Sequence, residues 1–401
     1  MSIAGPAAVV DSRRSWVVVT AAFVSMFTVF GVAYSFGAFF DSMAEEFDTG
    51  KSATALMFSI TTCWYFLLGL VSGRAADRFG PRPVLLVGAV LLTAGLLATS
   101  RVESIWVGYA TYGVLVGSAV ACGYVPMVAT VGGWFVRRRA AALGIAVAGI
   151  GVGTLVVAPL AQRLIDAHGW RTAYVVMGIG GGSAMALASI GAHRPPLDVG
   201  QPPVELARIA HERGFVVMYA ATFLVSLALF VPFVFIADYA EDEGIASGPA
   251  AALVGIIGAA SVVGRLGLGA LGARWGSTRL MQLSFGILAA SFVIWLLAGG
   301  SYPALVTFTI VMGIGYGGFI ALAPAVAATL FGTVGLGTIL GALYTAAGFG
   351  GLAGPPLAGA VIDGVSYAAA IVMAMVLSLA ATGVLLALPD ARRERLAVVS
   401  G

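Results

Sequence analysis

Arg265 is the one cation of the sequence that falls well inside a long apolar run, the run at 248–271. In a membrane helix, nine residues separate it from Arg274 at the end of the run, or roughly 13 Å at about 1.5 Å per residue. A charge at that depth costs about 3 kcal/mol or more and normally faces a cavity or a partner. The acidic residues of the sequence lie in loops or near the ends of apolar runs. A guanidinium matches a carboxylate through two parallel hydrogen bonds, so we interpret Arg265 as a carboxylate-binding residue. The alternative is an architectural or gating arginine.

Tyrosines on other apolar runs could complete such a site. A phenol can hydrogen-bond a carboxylate, while rings and an aliphatic side chain can hold a short apolar tail. The better candidates are Tyr124, Tyr316 and Tyr344, because a buried hydroxyl needs a partner. The remaining candidates are Tyr34, Ile145, Cys122, Gly149, Ser261 and Phe319. Helix packing is the alternative for each aromatic residue.

The elements that position these residues follow from composition. The chain has 401 residues, 60% of them hydrophobic and 10% charged, with a mean hydropathy of +1.01. Apolar stretches of this length and number predict an all-α integral membrane protein. We expect twelve spans, at about 16–40, 53–73, 83–100, 105–134, 140–163, 171–192, 215–237, 248–271, 279–298, 303–331, 336–362 and 366–388.

The polar segments between the spans indicate how the chain is organised. We expect a cytoplasmic N-terminal segment at 1–15, a six-helix bundle at 16–192, a Pro-rich cytoplasmic linker at 193–214, a second bundle at 215–388 and a cytoplasmic tail at 389–401. Most cations then lie on the side of the termini, as cytoplasmic loops require. The net charge of +3 is spread over these loops and indicates no nucleic-acid partner.

The two halves repeat one another. Pro159-Leu160-Ala161 recurs as Pro356-Leu357-Ala358, Gly73–Gly80 recurs as Gly269–Gly276, and Gly117 matches Gly313, all at shifts of 196 or 197. A repeat of about 200 residues predicts two pseudo-symmetric bundles around a central path. At the same shift Arg265 corresponds to Gly69, so the architecture itself requires no charge there.

The segment 73–82, GRAADRFGPR, resembles the signature loop between helices two and three of the major facilitator superfamily. This resemblance implies a latch formed by Asp77, Arg78 and Arg82 with the arginines of the next cytoplasmic loop, Arg137 and Arg138. A solvated turn that only sets topology is the alternative. The second copy has Ala273 in place of Asp77, so any latch is one-sided.

A narrower resemblance is to the monocarboxylate transporter family, through the segment 134–146, WFVRRRAAALGIA, and weakly through Asp11–Trp16. Gly264-Arg265 is similar to that family's substrate-binding arginine, and oxalate/formate exchangers share much of the pattern. Animal carriers of this family have an acidic residue where Ser261 stands and a lysine in helix one, whereas Lys51 is expected in an outer loop. We therefore name Asp238, near an outer span end, as the candidate for proton coupling; the alternatives are another residue at an outer span end and a proton that travels with the acid.

These observations predict a secondary active transporter of small monocarboxylate anions, of the lactate and pyruvate class, coupled to protons and working by rocker-switch alternating access. A single buried cation favours a monoanion over a dicarboxylate. The alternatives are an organic-anion exchanger of the oxalate/formate type and a multidrug exporter, which would carry an acidic residue inside its spans. We expect the protein not to be an enzyme and to need no cofactor or metal. We expect it to function as a monomer in the lipid bilayer. We also expect a multi-pass location in a bacterial plasma membrane, with both termini in the cytoplasm.

Overall fold

The computed structural model describes residues 10–135, 137–196, 206–332 and 336–388. The expected tail at 389–401, residues 1–9 of the N-terminal segment and residues 197–205 of the linker lie outside this part. The chain groups into two compact units, of which the first comprises Met1–Thr49 and Leu56–Gly200 and the second comprises Gly50–Ala55 and Gln201–Gly401.

Helices account for nearly all of the first unit. They are α1 (Arg13–Tyr34), α2 (Phe36–Phe47), α3 (Lys51–Phe79), α4 (Pro81–Thr99), α5 (Ile105–Gly108), a π-helical segment (Tyr109–Val116), α6 (Gly117–Trp134) and α7 (Arg139–Gly191). The first turn of α3 groups with the second unit. Helix α1 packs along α7, and α4 packs on both α6 and α7.

The second unit is built in the same way. Its helices are α8 (Leu206–Ile209), α9 (Arg213–Leu229), α10 (Val231–Asp242), α11 (Ser247–Trp275), α12 (Ser277–Ala298), α13 (Tyr302–Phe331), α14 (Leu336–Gly364) and α15 (Tyr367–Leu385). Helix α11 packs on α13, and α9 packs on α14.

Eleven helical stretches in the described residues are long and apolar enough to cross a membrane. One of them, within α7, is interrupted at Gly169, whose φ of 78° is a left-handed conformation that glycine adopts without strain. Counting the two parts of α7 separately gives the twelve predicted spans. A lipid-embedded backbone must satisfy its hydrogen bonds internally, which is why apolar runs of this length fold as helices. The predicted fold class is confirmed.

The first and seventh spans are each broken by a single residue. Ser35 separates α1 from α2, and Phe230 separates α9 from α10. Pro232, at the start of α10, lacks the amide proton that a continuous helix would use, which explains the second break. At the first break the Ser35 hydroxyl donates to the Val32 carbonyl at 2.8 Å.

Glycines at equivalent positions of the sequence repeat lie at equivalent close contacts between helices. A Cβ atom on Gly117 would lie 3.0 Å from the Thr61 carbonyl oxygen, and one on Gly313 would lie 2.6 Å from that of Ile257. Both residues of the second pair lie 196 positions after their counterparts. Glycine therefore occupies these positions because two helix backbones approach too closely for a side chain.

Candidate functional site

Arg265 lies on α11 with 8% of its surface exposed. Its position is set by backbone packing between α11 and α13. A Cβ atom on Gly317 would run into the Ser261 carbonyl, and one on Gly264 would run into the Ile314 carbonyl. Because both glycines remove a side chain at the crossing, α13 comes close enough to place a residue directly beside the guanidinium.

That residue is Tyr316. The guanidinium carbon of Arg265 lies 5.6 Å from the centre of the Tyr316 ring, within the range of a cation–π interaction. Tyr316 is 5% exposed and meets Phe233 of α10 edge-to-face at 5.8 Å between ring centres. Phe233 was not among the predicted site residues. Its location on the seventh span, which should line the path, was the available signal.

The other three candidates of the second unit lie on α11, α13 and α14. Ser261 is buried one turn before Arg265, and its hydroxyl donates to the Gly258 carbonyl at 2.7 Å. Phe319 is buried against Phe285 of α12 in an edge-to-face contact at 5.3 Å. Tyr344 is half-buried on α14. Their roles at the site stay predictions.

The first unit brings Tyr34 and Tyr124 together around Phe30. The ring centre of Phe30 lies 5.5 Å from that of Tyr34 and 5.1 Å from that of Tyr124. Tyr65, which was not predicted, meets the same ring at 5.7 Å. Helices α1, α3 and α6 therefore contribute to one aromatic cluster that contains two of the predicted residues.

The other three candidates of the first unit lie elsewhere. Cys122 is buried where α6 meets α4. A Cβ atom added to Gly88 of α4 would lie 2.8 Å from the Cβ atom of Cys122. Gly149 is placed so that a side chain would run into the Phe23 carbonyl, and Ile145 is 47% exposed. The first two positions serve helix packing, and the binding role proposed for all three stays a prediction.

The predicted latch loop forms a tight turn between α3 and α4. Gly80 has a φ of 93°, and Pro81 follows it as the first residue of α4. Asp77, Arg78 and Arg82 are exposed, and the guanidinium of Arg194 donates to the Arg78 carbonyl at 2.6 Å. A latch through Asp77 stays a prediction.

Arg137 and Arg138 lie at a junction that connects the two sequence motifs of the narrower resemblance. The backbone amides of both residues donate to the Asp11 carboxylate, at 3.1 Å and 3.3 Å. The Asp11 amide in turn donates to the Trp134 carbonyl at 3.1 Å. Trp16 meets Phe135 edge-to-face at 5.2 Å. Sequence reasoning identified both motifs and missed that Asp11 joins them.

Asp238 is 3% exposed on α10 and forms an ion pair with Lys51, whose Nζ lies 2.7 Å and 2.6 Å from its two carboxylate oxygens. The Tyr367 hydroxyl also donates to this carboxylate. The expectation that Lys51 lies in a loop is wrong, because Lys51 is the first residue of α3. A loop was expected because Lys51 precedes the apolar stretch, but the helix begins before that stretch does.

Comparison with known proteins identifies the class. A model of the Major Facilitator Superfamily matches residues 21–301, with a second match over 218–400. The chain belongs to this superfamily, whose members are membrane transporters and not enzymes. A bacterial homologue of the human lysosomal transporter Spinster, solved in an inward-facing and unoccupied conformation, has the same fold. Its TM-score is 0.73 at 14% identity, over 95% of this chain and 98% of that one.

Within the superfamily the chain is monocarboxylate transporter-like. Monocarboxylate transporter 3 of Rattus norvegicus is 32% identical over 373 residues, which cover 88% of this chain and 75% of the relative. Monocarboxylate transporter 13 of Bos taurus is 30% identical over 388 residues, covering 94% of this chain and 90% of the relative. Both parts of the sequence-based family prediction are confirmed.

Proposed function

We propose that this protein carries small monocarboxylate anions across the membrane, with Arg265 as the residue that binds the carboxylate. The observation that carries the proposal is a guanidinium 8% exposed within a membrane-crossing helix and placed against the Tyr316 ring. The names of the relatives, monocarboxylate transporters 3 and 13, support the same class of substrate.

The geometry suggests how selectivity arises. A planar guanidinium binds a carboxylate through two parallel hydrogen bonds. Tyr316 lies against the guanidinium, and Phe233 packs edge-to-face on Tyr316, so the carboxylate site that we propose has an aromatic wall on this side. A substrate with one carboxylate and a short tail suits such a site. Lactate and pyruvate are the members of this class that we propose first.

The transport cycle that we propose is alternating access coupled to a proton. Asp238 is the candidate proton carrier, since it is a carboxylate buried within a membrane-crossing helix. We further propose a multi-pass monomer in a bacterial plasma membrane with both termini in the cytoplasm, since that orientation leaves few cations in the outer loops.

The test is uptake of radiolabelled L-lactate and pyruvate into proteoliposomes, with and without an inward proton gradient, for the wild type and Arg265→Ala. Arg101→Ala, in an exposed loop, is the matched control for loss of one arginine. We expect saturable uptake in the wild type and the control, and its loss in Arg265→Ala. The gradient should increase accumulation.

Two outcomes would contradict the proposal. Equal uptake by Arg265→Ala and the wild type would make this arginine architectural. Wild-type vesicles could instead fail to take up lactate and pyruvate but exchange oxalate for formate. That result would assign the chain to the organic-anion exchangers. Gel filtration of each variant in detergent shows whether a lost activity reflects a lost fold.

A further inference from the structure

A second charged cluster lies at the first turn of α3. It consists of Lys51, Asp238 of α10 and Tyr367 of α15, all within the second unit. Lys51 Nζ contacts both carboxylate oxygens of Asp238 and lies 2.7 Å from the Tyr367 hydroxyl, which itself contacts Asp238. Asp242, one turn further along α10, lies 3.5 Å from the same nitrogen. Each of the three side chains therefore contacts the other two.

The same turn of α3 packs closely on α14. A Cβ atom on Gly359 would lie 2.6 Å from the Ser52 amide nitrogen, so the two backbones are in direct contact. The Ser52 amide also donates to the Asp363 carboxylate at 3.4 Å. The first turn of α3 is therefore bound by three helices, α10, α14 and α15, and its strongest bonds are ionic.

The burial of the two charges is unequal. Asp238 is 3% exposed, whereas the Lys51 side chain is 24% exposed. A buried carboxylate needs either a compensating charge or a proton, so an ionised Asp238 depends on Lys51 remaining in place. Water can already reach the lysine, so the ammonium can be rehydrated when it leaves. Opening this ion pair therefore costs less than opening one in which both charges are fully buried.

We propose that Lys51, Asp238 and Tyr367 form a charge-dependent clamp that holds the first turn of α3 on α10, α14 and α15, and that the clamp opens and closes during transport. The clamp shares Asp238 with the proposed proton coupling but includes neither Arg265 nor a bound carboxylate, so its test by labelling does not depend on which substrate is carried. Its release would expose Ser52 and the Asp238 carboxylate to water together.

The experiment measures access to Ser52 in nanodiscs, where reagents reach both faces of the membrane. The two native cysteines, Cys63 and Cys122, are replaced by alanine, and Ser52→Cys is introduced as the reporter. The rate of reaction with a charged maleimide is then compared in Lys51→Met, Asp238→Asn, Tyr367→Phe and the exchanged pair Lys51→Asp with Asp238→Lys. Ser301→Cys, on an exposed turn, reports the intrinsic reactivity.

We expect Lys51→Met and Asp238→Asn to raise the reaction rate at Ser52→Cys about tenfold, and Tyr367→Phe to raise it less. The exchanged pair should return the rate to within about threefold of the wild type. Labelling rates at Ser52→Cys that are unchanged in both Lys51→Met and Asp238→Asn would overturn the clamp. Fast labelling of the exchanged pair would also overturn it, provided that this variant elutes from gel filtration as a single folded species. If the single variants do not fold, the exchanged pair alone decides between these results.

Discussion

Tyr316 presents its ring to Arg265 at 5.6 Å and to Phe233 at 5.8 Å, so one aromatic side chain connects a buried cation to the break in the seventh span. The break at Phe230 is three residues before Phe233, and it determines the direction in which α10 continues. The aromatic stack beside the guanidinium therefore extends to a residue just after the break in the seventh span.

Replacing the Tyr316 ring should weaken substrate binding. A cation–π contact contributes about 0.5–2 kcal/mol, so Tyr316→Leu should raise KM roughly 2- to 30-fold with expression unchanged. Tyr316→Phe keeps the ring and is the matched variant. A KM near the wild-type value in Tyr316→Phe assigns the effect to the ring, while equal defects in both variants would show that the hydroxyl binds substrate instead.

Gly317 should not tolerate a methyl group. Its Cβ atom would run into the Ser261 carbonyl, so Gly317→Ala must push α13 away from α11 and move Arg265 relative to Tyr316. Overpacking of this kind costs about 1–3 kcal/mol, and we expect a lower Tm together with reduced uptake.

The control for Gly317 is Gly267→Ala on α11, where a Cβ atom would meet nothing within 4 Å. Alanine favours a helix over glycine by about 1 kcal/mol, so the Tm of this variant should stay constant or rise. An equal decrease of Tm in Gly317→Ala and Gly267→Ala would show that steric overlap at the crossing of α11 and α13 is not the cause of the destabilisation.

Neutralising Asp238 should separate transport from the proton gradient. Asp238→Asn keeps the size of the side chain and removes the group that we propose to carry the proton. We expect exchange of substrate at zero gradient and no extra accumulation when the gradient is applied. Asp242→Asn, at an exposed position, should respond like the wild type. An Asp238→Asn variant that still accumulates substrate would remove Asp238 from the coupling scheme.

Asp11 should stabilise the start of α7. Its carboxylate accepts the backbone amides of Arg137 and Arg138, so Asp11→Ala should lower the unfolding free energy by about 1 kcal/mol, as loss of a helix cap does. Asp11→Asn retains an acceptor oxygen and tolerates the φ of 55° at this position. Thermal unfolding in detergent should therefore rank the Tm of Asp11→Asn above that of Asp11→Ala.

The membrane spans could be predicted because hydropathy is a local property, and so could the position of Arg265 within one of them. Contacts between helices could not be predicted. Lys51 and Asp238 are 187 positions apart, and their pairing depends on how each helix is rotated about its axis. Apolar residues surround most of these helices, so the sequence pattern contains little information about that rotation. The location of Phe233 on the seventh span could be predicted, but its contact with Tyr316 could not, for the same reason.

The glycine contacts of the two halves show which features of the sequence repeat reappear as helix contacts. Gly153 approaches the Phe27 carbonyl, and Gly350 approaches that of Phe223, at the shifts of the sequence repeat. One turn further along, the first half has Gly31 against Val157, whereas the second half has Leu227 against Gly354. The small residue has moved to the opposite helix. The close approach of the two helices is thus present in both halves, while the helix that supplies the glycine differs between them.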